Sequence, residues 1–207
     1  MTASLLPSFP AAAKESSSVR ERVMVFGDSL SAAYGINPKD GWVALMETRL
    51  QPQGIAVVNA SISGETSRGG LSRIKTDLAR LSPTIVVIAL GANDGLRGLP
   101  NVDTRKNLEA IIAASRAASA RVVLAGIQIP PNYGLEYARQ FRDLYSDLAV
   151  KYKLPFVPFL LEGIADNLEF FQADRLHPIA AAQPRIVENV LPAIWQAIGK
   201  TSAAARK

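Results

Sequence analysis

The sequence contains no cysteine and a single histidine, His177. Without cysteine, disulfides, thiolate nucleophiles and cysteine-ligated zinc or iron–sulfur centres are excluded. One imidazole is too few for a histidine-rich metal site, which leaves only an all-oxygen site for a hard cation as a chemical option. We therefore expect no metal and no cofactor, and any histidine-based proton transfer has to use His177.

Long apolar runs are also missing, since no stretch approaches the roughly 20 apolar residues that span a bilayer. We expect no stable membrane insertion. The formal net charge is +5, but the basic residues are scattered, and Arg139 and Arg142 alternate with Asp143 and Asp147 at helix-surface spacing. This pattern is typical of a solvated surface, so we expect no nucleic-acid partner.

A chain of 207 residues, 48% of them hydrophobic, is long enough for one well-filled core. Residues 1–20 carry two prolines and runs of alanine and serine without a helical period, so a flexible leader is predicted there, a single domain over 21–199 and a flexible tail over 200–207. The leader is a poor signal peptide. The compartment stays open, periplasmic or secreted if a signal peptide was removed and otherwise cytoplasmic, as does the oligomeric state.

Two hydrophobic periodicities alternate within the predicted domain. Short runs rich in β-branched residues predict five buried strands, over 22–26, 55–58, 84–90, 121–125 and 155–157. Apolar residues three and four positions apart predict helices between and after them, over 40–51, 66–81, 103–119, 135–152 and 179–198. Repeated strand-then-helix order predicts a five-stranded parallel sheet in a three-layer α/β/α sandwich of flavodoxin-like topology.

Polar and glycine-rich loops follow four of the predicted strands, over 27–31, 59–66, 91–95 and 126–134. His177 comes directly before the last predicted helix, and Asp174 lies three residues earlier. Ligands of open parallel sheets bind at the carboxyl ends of the strands, so we expect these loops to converge on one site. A serine, an aspartate and the only histidine in such a site indicate a serine hydrolase.

Four motifs occur in order along the chain: Phe26-Gly27-Asp28-Ser29-Leu30-Ser31, Ser61-Ile62-Ser63-Gly64-Glu65-Thr66, Gly91-Ala92-Asn93-Asp94-Gly95-Leu96-Arg97-Gly98 and Asp174-Arg175-Leu176-His177-Pro178. Together they resemble the GDSL, or SGNH, hydrolase family, and within it the bacterial acyl-thioesterase, lysophospholipase and arylesterase branch. The resemblance extends over about 22–198. It adds the SGNH-hydrolase fold to the α/β expectation.

The resemblance implies a role for five residues. Ser29 is expected to attack the acyl carbonyl, His177 to act as its general base, and Asp174 to hold the other ring nitrogen. The backbone N–H groups of Ser29 and Gly64 and the side-chain amide of Asn93 are expected to form an oxyanion hole. The Gly-x-Ser-x-Gly turn of α/β-hydrolases is absent, because Ser31 replaces its second glycine.

Two loops flanking this site are apolar and are expected to form a groove for an acyl chain, although they are also consistent with a simple cover over the sheet edge. The candidate substrate-binding residues in them are Leu96, Arg97, Leu99, Ile129, Pro130 and Tyr133. Arg97 is a candidate for contact with a phosphate or coenzyme A headgroup, and a solvated side chain is the alternative. The aromatic residues Tyr34 and Trp42, after the serine motif, are expected to pack.

These expectations define a serine hydrolase that cleaves oxyesters and thioesters of small to medium acyl chains through an acyl-serine intermediate. Its partner would be a small-molecule acyl ester or thioester. Two alternatives remain open, a carbohydrate acetylesterase of the same fold and a non-catalytic flavodoxin-like binding domain. The chain departs from the family at Arg175, where a small residue is common; its cation either acts on the Asp174 and His177 pair or points outward.

Overall fold

The computed structural model describes residues 21–199, so the predicted leader and tail lie outside the described residues. Within that range five parallel strands form one sheet in the order β2-β1-β3-β4-β5. The strands are β1 (Glu21–Gly27), β2 (Ile55–Asn59), β3 (Ile85–Ala89), β4 (Arg121–Ala125) and β5 (Phe156–Val157). Each predicted strand is present, and the parallel α/β architecture is confirmed.

The strand order places the carboxyl ends of β1 and β3 side by side. In the register of the sheet, Val25 is paired with Asn59 on one side and with Val87 on the other, and Gly27 is paired with Ala89. The chain leaves β1 toward β2 and later returns to β3 on the opposite side. This reversal opens a crevice above the end of β1, the usual position of a ligand site in such sheets.

Helices cover both faces of the sheet. The packed pairs are α2 with α4 and α4 with α5 in one layer, and α1 with α6 in the other. The helices are α1 (Trp42–Leu50), α2 (Ser67–Leu81), α3 (Ala92–Leu96), α4 (Asn101–Ala117), α5 (Leu135–Tyr152) and α6 (Gln183–Ile198). Right-handed crossovers of this kind join parallel strands through a helix, which explains the alternation in the sequence.

Two differences from the predicted elements concern the site. The short helix α3 was predicted as a loop, because five residues with an internal glycine are too few to show a helical period. The last helix was predicted from residue 179, but α6 begins at Gln183 after a 3₁₀ turn over Ala180–Ala182. The stretch between His177 and α6 is therefore an irregular connection, fixed by side-chain contacts.

The core lies on both faces of the sheet. All five residues of β3 are buried, and so are the last five of β1. Strands covered on both faces can be continuously apolar, which is why these segments read as β-branched runs without alternation. The loops of the site at the carboxyl edge are therefore attached to fully buried strands.

Candidate active site

Ser29 lies in the tight turn that leaves β1. The backbone carbonyl of Asp28 accepts from the N–H groups of Ser31 and Ala32, at 3.1 and 2.9 Å, and this curls the chain directly after the strand. The Ser29 hydroxyl is half-buried at the edge of the sheet, and its Oγ lies 2.8 Å from Nε2 of His177. A residue 148 positions away in sequence is thereby brought into hydrogen-bond contact.

Asp174 holds the other ring nitrogen of His177, with 2.7 Å between Oδ2 and Nδ1. Its second oxygen, Oδ1, accepts the backbone N–H groups of Leu176 and His177, at 2.9 and 3.0 Å. The hydrogen bond from His177 lowers the pKa of Asp174 to about 2. The carboxylate is therefore ionised at neutral pH and accepts only, so Nδ1 carries the proton and Nε2 of neutral His177 accepts from Ser29.

The loop that carries Asp174 and His177 is tied to the serine side of the site by Gln172. Its backbone N–H donates to the carbonyl of His177 at 2.8 Å, and its side-chain amide donates to the carbonyl of Tyr34 at 2.8 Å. Gly35, next to Tyr34, has φ +73°, and a β-carbon there would lie 2.1 Å from Oε1 of Gln172. Glycine is thus required at position 35 both by its φ and by this contact.

Tyr34 packs, as expected, and its partner is the imidazole of His177. The ring centroids of Tyr34 and His177 lie 4.4 Å apart with an interplanar angle of 41°. Tyr34 is 51% exposed and lines the cavity above Ser29. Tyr34 therefore packs at the cavity, whereas Trp42 packs in the core, where it is fully buried and donates its indole N–H to the carbonyl of Leu30.

Three hydrogen-bond donors surround the space next to the Ser29 hydroxyl. Ser29, Gly64 and Asn93 all line the same cavity, and among the described residues none accepts from the backbone N–H of Ser29 or Gly64. The side-chain amide of Asn93 donates one hydrogen to the carbonyl of Glu65 at 3.0 Å, which leaves its second hydrogen free. The three groups that the resemblance assigns to an oxyanion hole therefore line one cavity, each with an N–H that no described residue accepts.

Gly64 is needed for its backbone conformation. Its φ is +79°, a region that side chains with a β-carbon rarely adopt. A β-carbon at this position would meet no protein atom within 4 Å, so crowding by the protein is not the reason for the glycine. The glycine lets the chain turn so that the loop after β2 lines the cavity.

Two buried acids beneath the site position its donors. Asp94, in α3, accepts from the backbone N–H of Ser67 at 2.7 Å and from the hydroxyls of Ser67 and Thr104. The carboxylate therefore stabilises the N-terminus of α2, where unpaired N–H groups favour negative charge. Because Asp94 follows Asn93, this contact also fixes the start of α3 and with it the Asn93 side chain.

Asp28 has a role that the sequence did not reveal. Its carboxyl is fully buried: Oδ1 accepts from the backbone N–H of Leu30 at 3.1 Å, and the backbone N–H of Ala92 is near enough to lower its pKa. It therefore lies between the turn that carries Ser29 and the turn that precedes Asn93. Burial, together with the nearby carboxylates of Asp94 and Glu65, raises the pKa of Asp28 to about 7.

A cavity of about 540 Å³ opens beside Ser29 and His177. Three of the candidate substrate-binding residues line it, Leu96, Ile129 and Pro130. The apolar part of its wall is completed by residues 159–176, which were not among the candidates because they show no periodicity. Its members are Phe159, Leu161, Ala165, Phe171 and Leu176.

Three of the candidate substrate-binding residues do not line this cavity. The guanidinium of Arg97 donates to the backbone carbonyl of Gly64 at 3.0 Å, so it braces the loop after β2 and does not face the cavity. Leu99 and Tyr133 are 37% and 42% exposed and lie outside the wall. Other residues of the same loops form the wall. Position in the sequence does not show which residues of a loop line a cavity and which do not.

Arg175 lies at the cavity and at a strained position. It is exposed, its φ is +58°, and it lines the cavity together with His177.

Within residues 21–199, no group of three or more histidine or acidic side chains could hold a metal ion. None of the helices in this range has both the length and the apolar composition of a membrane span.

The protein is a parallel α/β/α sandwich in which a serine, a histidine and an aspartate are hydrogen-bonded at the carboxyl edge of the sheet. This fold and this site are those of a serine hydrolase. The GDSL-like lipase/acylhydrolase family model matches residues 25–184. The chain is 48% identical over 176 residues to esterase TesA of Pseudomonas aeruginosa, covering 84% of this chain and 88% of the relative. It belongs to the GDSL-like lipase/acylhydrolase family and is a carboxylic ester hydrolase.

Other relatives agree with this assignment. Thioesterase 1/protease 1/lysophospholipase L1 of Escherichia coli K12 is 38% identical over 168 residues, covering 81% of this chain and 80% of the relative. Among solved structures, the psychrotrophic esterase EstA from Pseudoalteromonas sp., inhibited by monoethylphosphonate, has a TM-score of 0.82 and 38% identity, covering 87% of this chain and 100% of that chain.

Proposed function

We propose that this enzyme hydrolyses oxyesters and thioesters of small to medium acyl chains through an acyl intermediate on Ser29. The observation that carries the proposal is the continuous hydrogen-bonded series from Ser29 through His177 to Asp174, at 2.8 and 2.7 Å, beside an apolar cavity. The names of the relatives, an esterase and a thioesterase with lysophospholipase activity, support the substrate class.

In the proposed first half-reaction, Ser29 Oγ attacks the acyl carbonyl and its proton passes to Nε2 of His177. The imidazolium that forms is stabilised by the Asp174 carboxylate, and the oxyanion by the N–H groups of Ser29, Gly64 and Asn93. The C–O or C–S bond to the leaving group then breaks, and His177 returns the proton to that group. Water repeats the sequence on the acyl-enzyme, which releases the carboxylic acid and restores the Ser29 hydroxyl.

The apolar wall favours an acyl chain over a sugar acetate. Most of the side chains around the cavity are aliphatic or aromatic, and burial of a methylene group contributes about 0.8 kcal/mol. A carbohydrate acetylesterase would need polar groups to replace the hydration of the sugar hydroxyls. Apart from Ser29, His177 and Asn93, the polar side chains of the wall are those of Tyr34, Ser63, Gln128, Asp166 and Arg175, and the aliphatic and aromatic ones outnumber them.

The test is a series of p-nitrophenyl esters from acetate to palmitate, assayed on the wild type, Ser29→Ala and Ser63→Ala. We expect Ser29→Ala to lose about 10⁴-fold or more of kcat/KM, as removal of a serine nucleophile does elsewhere. Ser63→Ala is the matched control, since Ser63 also lines the cavity but lies outside the hydrogen-bonded series. Equal activity of Ser29→Ala and the wild type would exclude Ser29 as the nucleophile.

The chain-length profile decides between the two substrate classes. A maximum at medium chains supports the acyl cavity. A maximum at acetate, together with faster release of acetate from acetylated sugars, would exclude the proposed acyl-chain specificity and support a carbohydrate acetylesterase.

A further inference from the structure

We infer that Arg175 forms a binding subsite for an anionic group, such as a phosphate, on the leaving-group side of the ester. The inference rests on the proposed function, since it assigns a selectivity to the same site. It is carried by four properties of this residue: its place on the cavity wall, its exposure, its lack of a partner and its backbone conformation.

Arg175 lies in sequence between Asp174 and His177, the acid and the base of the hydrogen-bonded series. It follows Asp174, precedes Leu176 and His177, and lines the same cavity as Ser29. Because guanidinium is charged at all relevant pH values and offers planar, paired donors, it suits phosphate and carboxylate oxygens. The cation of Arg175 is therefore on the same loop as His177, the residue that contacts Ser29.

The guanidinium is free to bind such a group. No residue in the range 21–199 forms an ion pair or a hydrogen bond with the Arg175 side chain. Most other arginines of the described chain are engaged, for example Arg73 with Glu65 and Asp77. One carboxylate, Asp166, also lines the cavity, but it is not within 4.0 Å of the guanidinium, so it leaves the cation unpaired.

The backbone at Arg175 is held in an unfavourable conformation. Its φ is +58°, in the left-handed region that glycine adopts without steric cost and in which an arginine is strained. The turn around it is fixed, because Arg175 N–H donates to the carbonyl of Gln172 at 2.9 Å and Leu176 N–H donates to Asp174 at 2.9 Å. Strain of this kind persists where surrounding structure imposes it, and it is concentrated at functional sites.

The anion belongs to the leaving group because the acyl side of the cavity is apolar. A charged acyl chain would have to desolvate against Phe159, Leu161 and Ile129. Arg175 is exposed to solvent at the cavity, and the proposal places the departing alcohol or thiol portion of the ester beside it. Two sources present such an anion, a phosphorylated thiol carrier and a glycerophosphate headgroup.

The experiment compares charged and neutral substrates with the same octanoyl group on the wild type, Arg175→Gly and Lys153→Gly. One pair is octanoyl-coenzyme A and octanoyl-N-acetylcysteamine, and the other is 1-octanoylglycerol 3-phosphate and 1-octanoylglycerol. Lys153 is the matched control, because it is an exposed cation with φ +49°, but it ends α5 and precedes β5 at the opposite edge of the sheet.

We expect Arg175→Gly to lower the charged-to-neutral ratio of kcat/KM by about 3- to 10-fold at low salt in at least one pair, as expected for one partly exposed charge-assisted contact. The difference in this ratio between the wild type and Arg175→Gly should become smaller as the salt concentration approaches 1 M, where the Debye length falls to about 3 Å. The Tm should stay the same or rise, since glycine relieves the φ of +58°. A loss confined to the thioester pair identifies the phosphorylated carrier, and a loss confined to the glycerol pair identifies the headgroup.

An unchanged ratio in both pairs would overturn the inference, and so would an equal loss in Lys153→Gly, which would reflect net charge alone. Failure of the proposed function is a separate result. It would appear as absence of Ser29-dependent hydrolysis of the neutral esters by the wild type, whereas failure of the Arg175 subsite leaves that activity intact.

Discussion

At the residue scale, the site depends on groups whose neighbours fix their protonation and direction. Asp174 uses one oxygen for the imidazole and the other for two backbone N–H groups, so its carboxylate cannot rotate without breaking three contacts. Asn93 is similarly held by the carbonyl of Glu65. Both side chains are thus directed before a substrate arrives, which is the condition for electrostatic stabilisation of a transition state.

We predict that Asn93→Ala lowers kcat about 10²- to 10³-fold with a small change in KM, because the amide acts on the oxyanion more than on the ground state. The measurement is steady-state kinetics on p-nitrophenyl octanoate. Asn189→Ala is the control, since its amide donates to the carbonyls of Leu160 and Glu162 within the fold. A rise in KM at constant kcat would assign Asn93 to substrate binding.

Asp28 gives a prediction about pH and stability. Its pKa is raised from 3.8 to about 7 in the folded protein, so the folded state binds the proton more tightly than the unfolded state. Its contribution to stability is fully present below about pH 3.8 and is lost as the pH rises through about 7. Asp28→Asn keeps an oxygen for the N–H of Leu30 and resembles the neutral carboxyl.

The Tm of Asp28→Asn minus that of the wild type should therefore increase from pH 4 to pH 7 and level off above it. The measurement is thermal unfolding by circular dichroism over pH 4–9. A difference that is constant over this range would show that Asp28 keeps the same protonation state in both forms.

At the scale of elements, the loop after β2 is attached to α2 by a largely buried ion network. Arg73 in α2 pairs with Glu65 and Asp77, and its guanidinium lies 4.0 Å from the ring centroid of Phe26. The side chains of Arg73 and Glu65 are only 18% and 8% exposed. Since Glu65 follows Gly64 and its carbonyl receives Asn93, this network supports two of the proposed oxyanion donors.

We predict that Arg73→Met destabilises the fold by about 3–5 kcal/mol, because it leaves the buried Glu65 without its partner. Arg80→Met is the matched control, since Arg80 also pairs with Asp77 but its side chain is 62% exposed, and we expect about 1 kcal/mol or less. Urea unfolding measures both. Equal and small losses would show that the network contributes to position rather than to stability.

Sequence patterns identified the long elements and missed short ones. The helices α2 and α5 carry clear apolar faces and were predicted to within one residue of their observed bounds. The helix α3 and the wall over 159–176 were missed, because neither is long enough or regular enough to show a period. The wall is held by tertiary contacts, such as the hydrogen bond from Gln172 to Tyr34.

At the scale of the whole molecule, the cavity is assembled from segments far apart in the chain. Leu30 comes from the turn after β1, Leu96 from the end of α3, Ile129 from the loop after β4, and Ala165 from the segment after β5. The sheet brings these segments together because all of its strands end at one edge. The volume of about 540 Å³ is in the range typical of small-molecule sites.

We predict that Ala165→Phe shortens the preferred acyl chain, because the added ring occupies part of the cavity. Activity on p-nitrophenyl acetate should change less than about 3-fold, while activity on decanoate and longer esters falls 10-fold or more, a loss of about 1.4 kcal/mol or more in transition-state binding. Ala113→Phe is the control, since Ala113 is exposed on α4 outside the cavity wall. Uniform losses on all chain lengths would place the acyl chain elsewhere.

The sequence by itself determined the elements and the order of the chemical groups. Buried parallel strands leave continuous β-branched runs and surface helices leave a period of 3.6, so the α/β/α sandwich could be predicted from local patterns. The motifs around Ser29 and His177 indicated the family, since a poor nucleophile needs a base and the chain has one imidazole to supply it.

Only the tertiary structure decided which loop residues face the substrate. Tyr34 contacts His177, Arg97 donates to the carbonyl of Gly64, and Asp28 accepts from Leu30 beneath the site. None of these contacts follows from sequence spacing, because the direction of a loop side chain is set by hydrogen bonds to distant backbone groups and not by a repeating period.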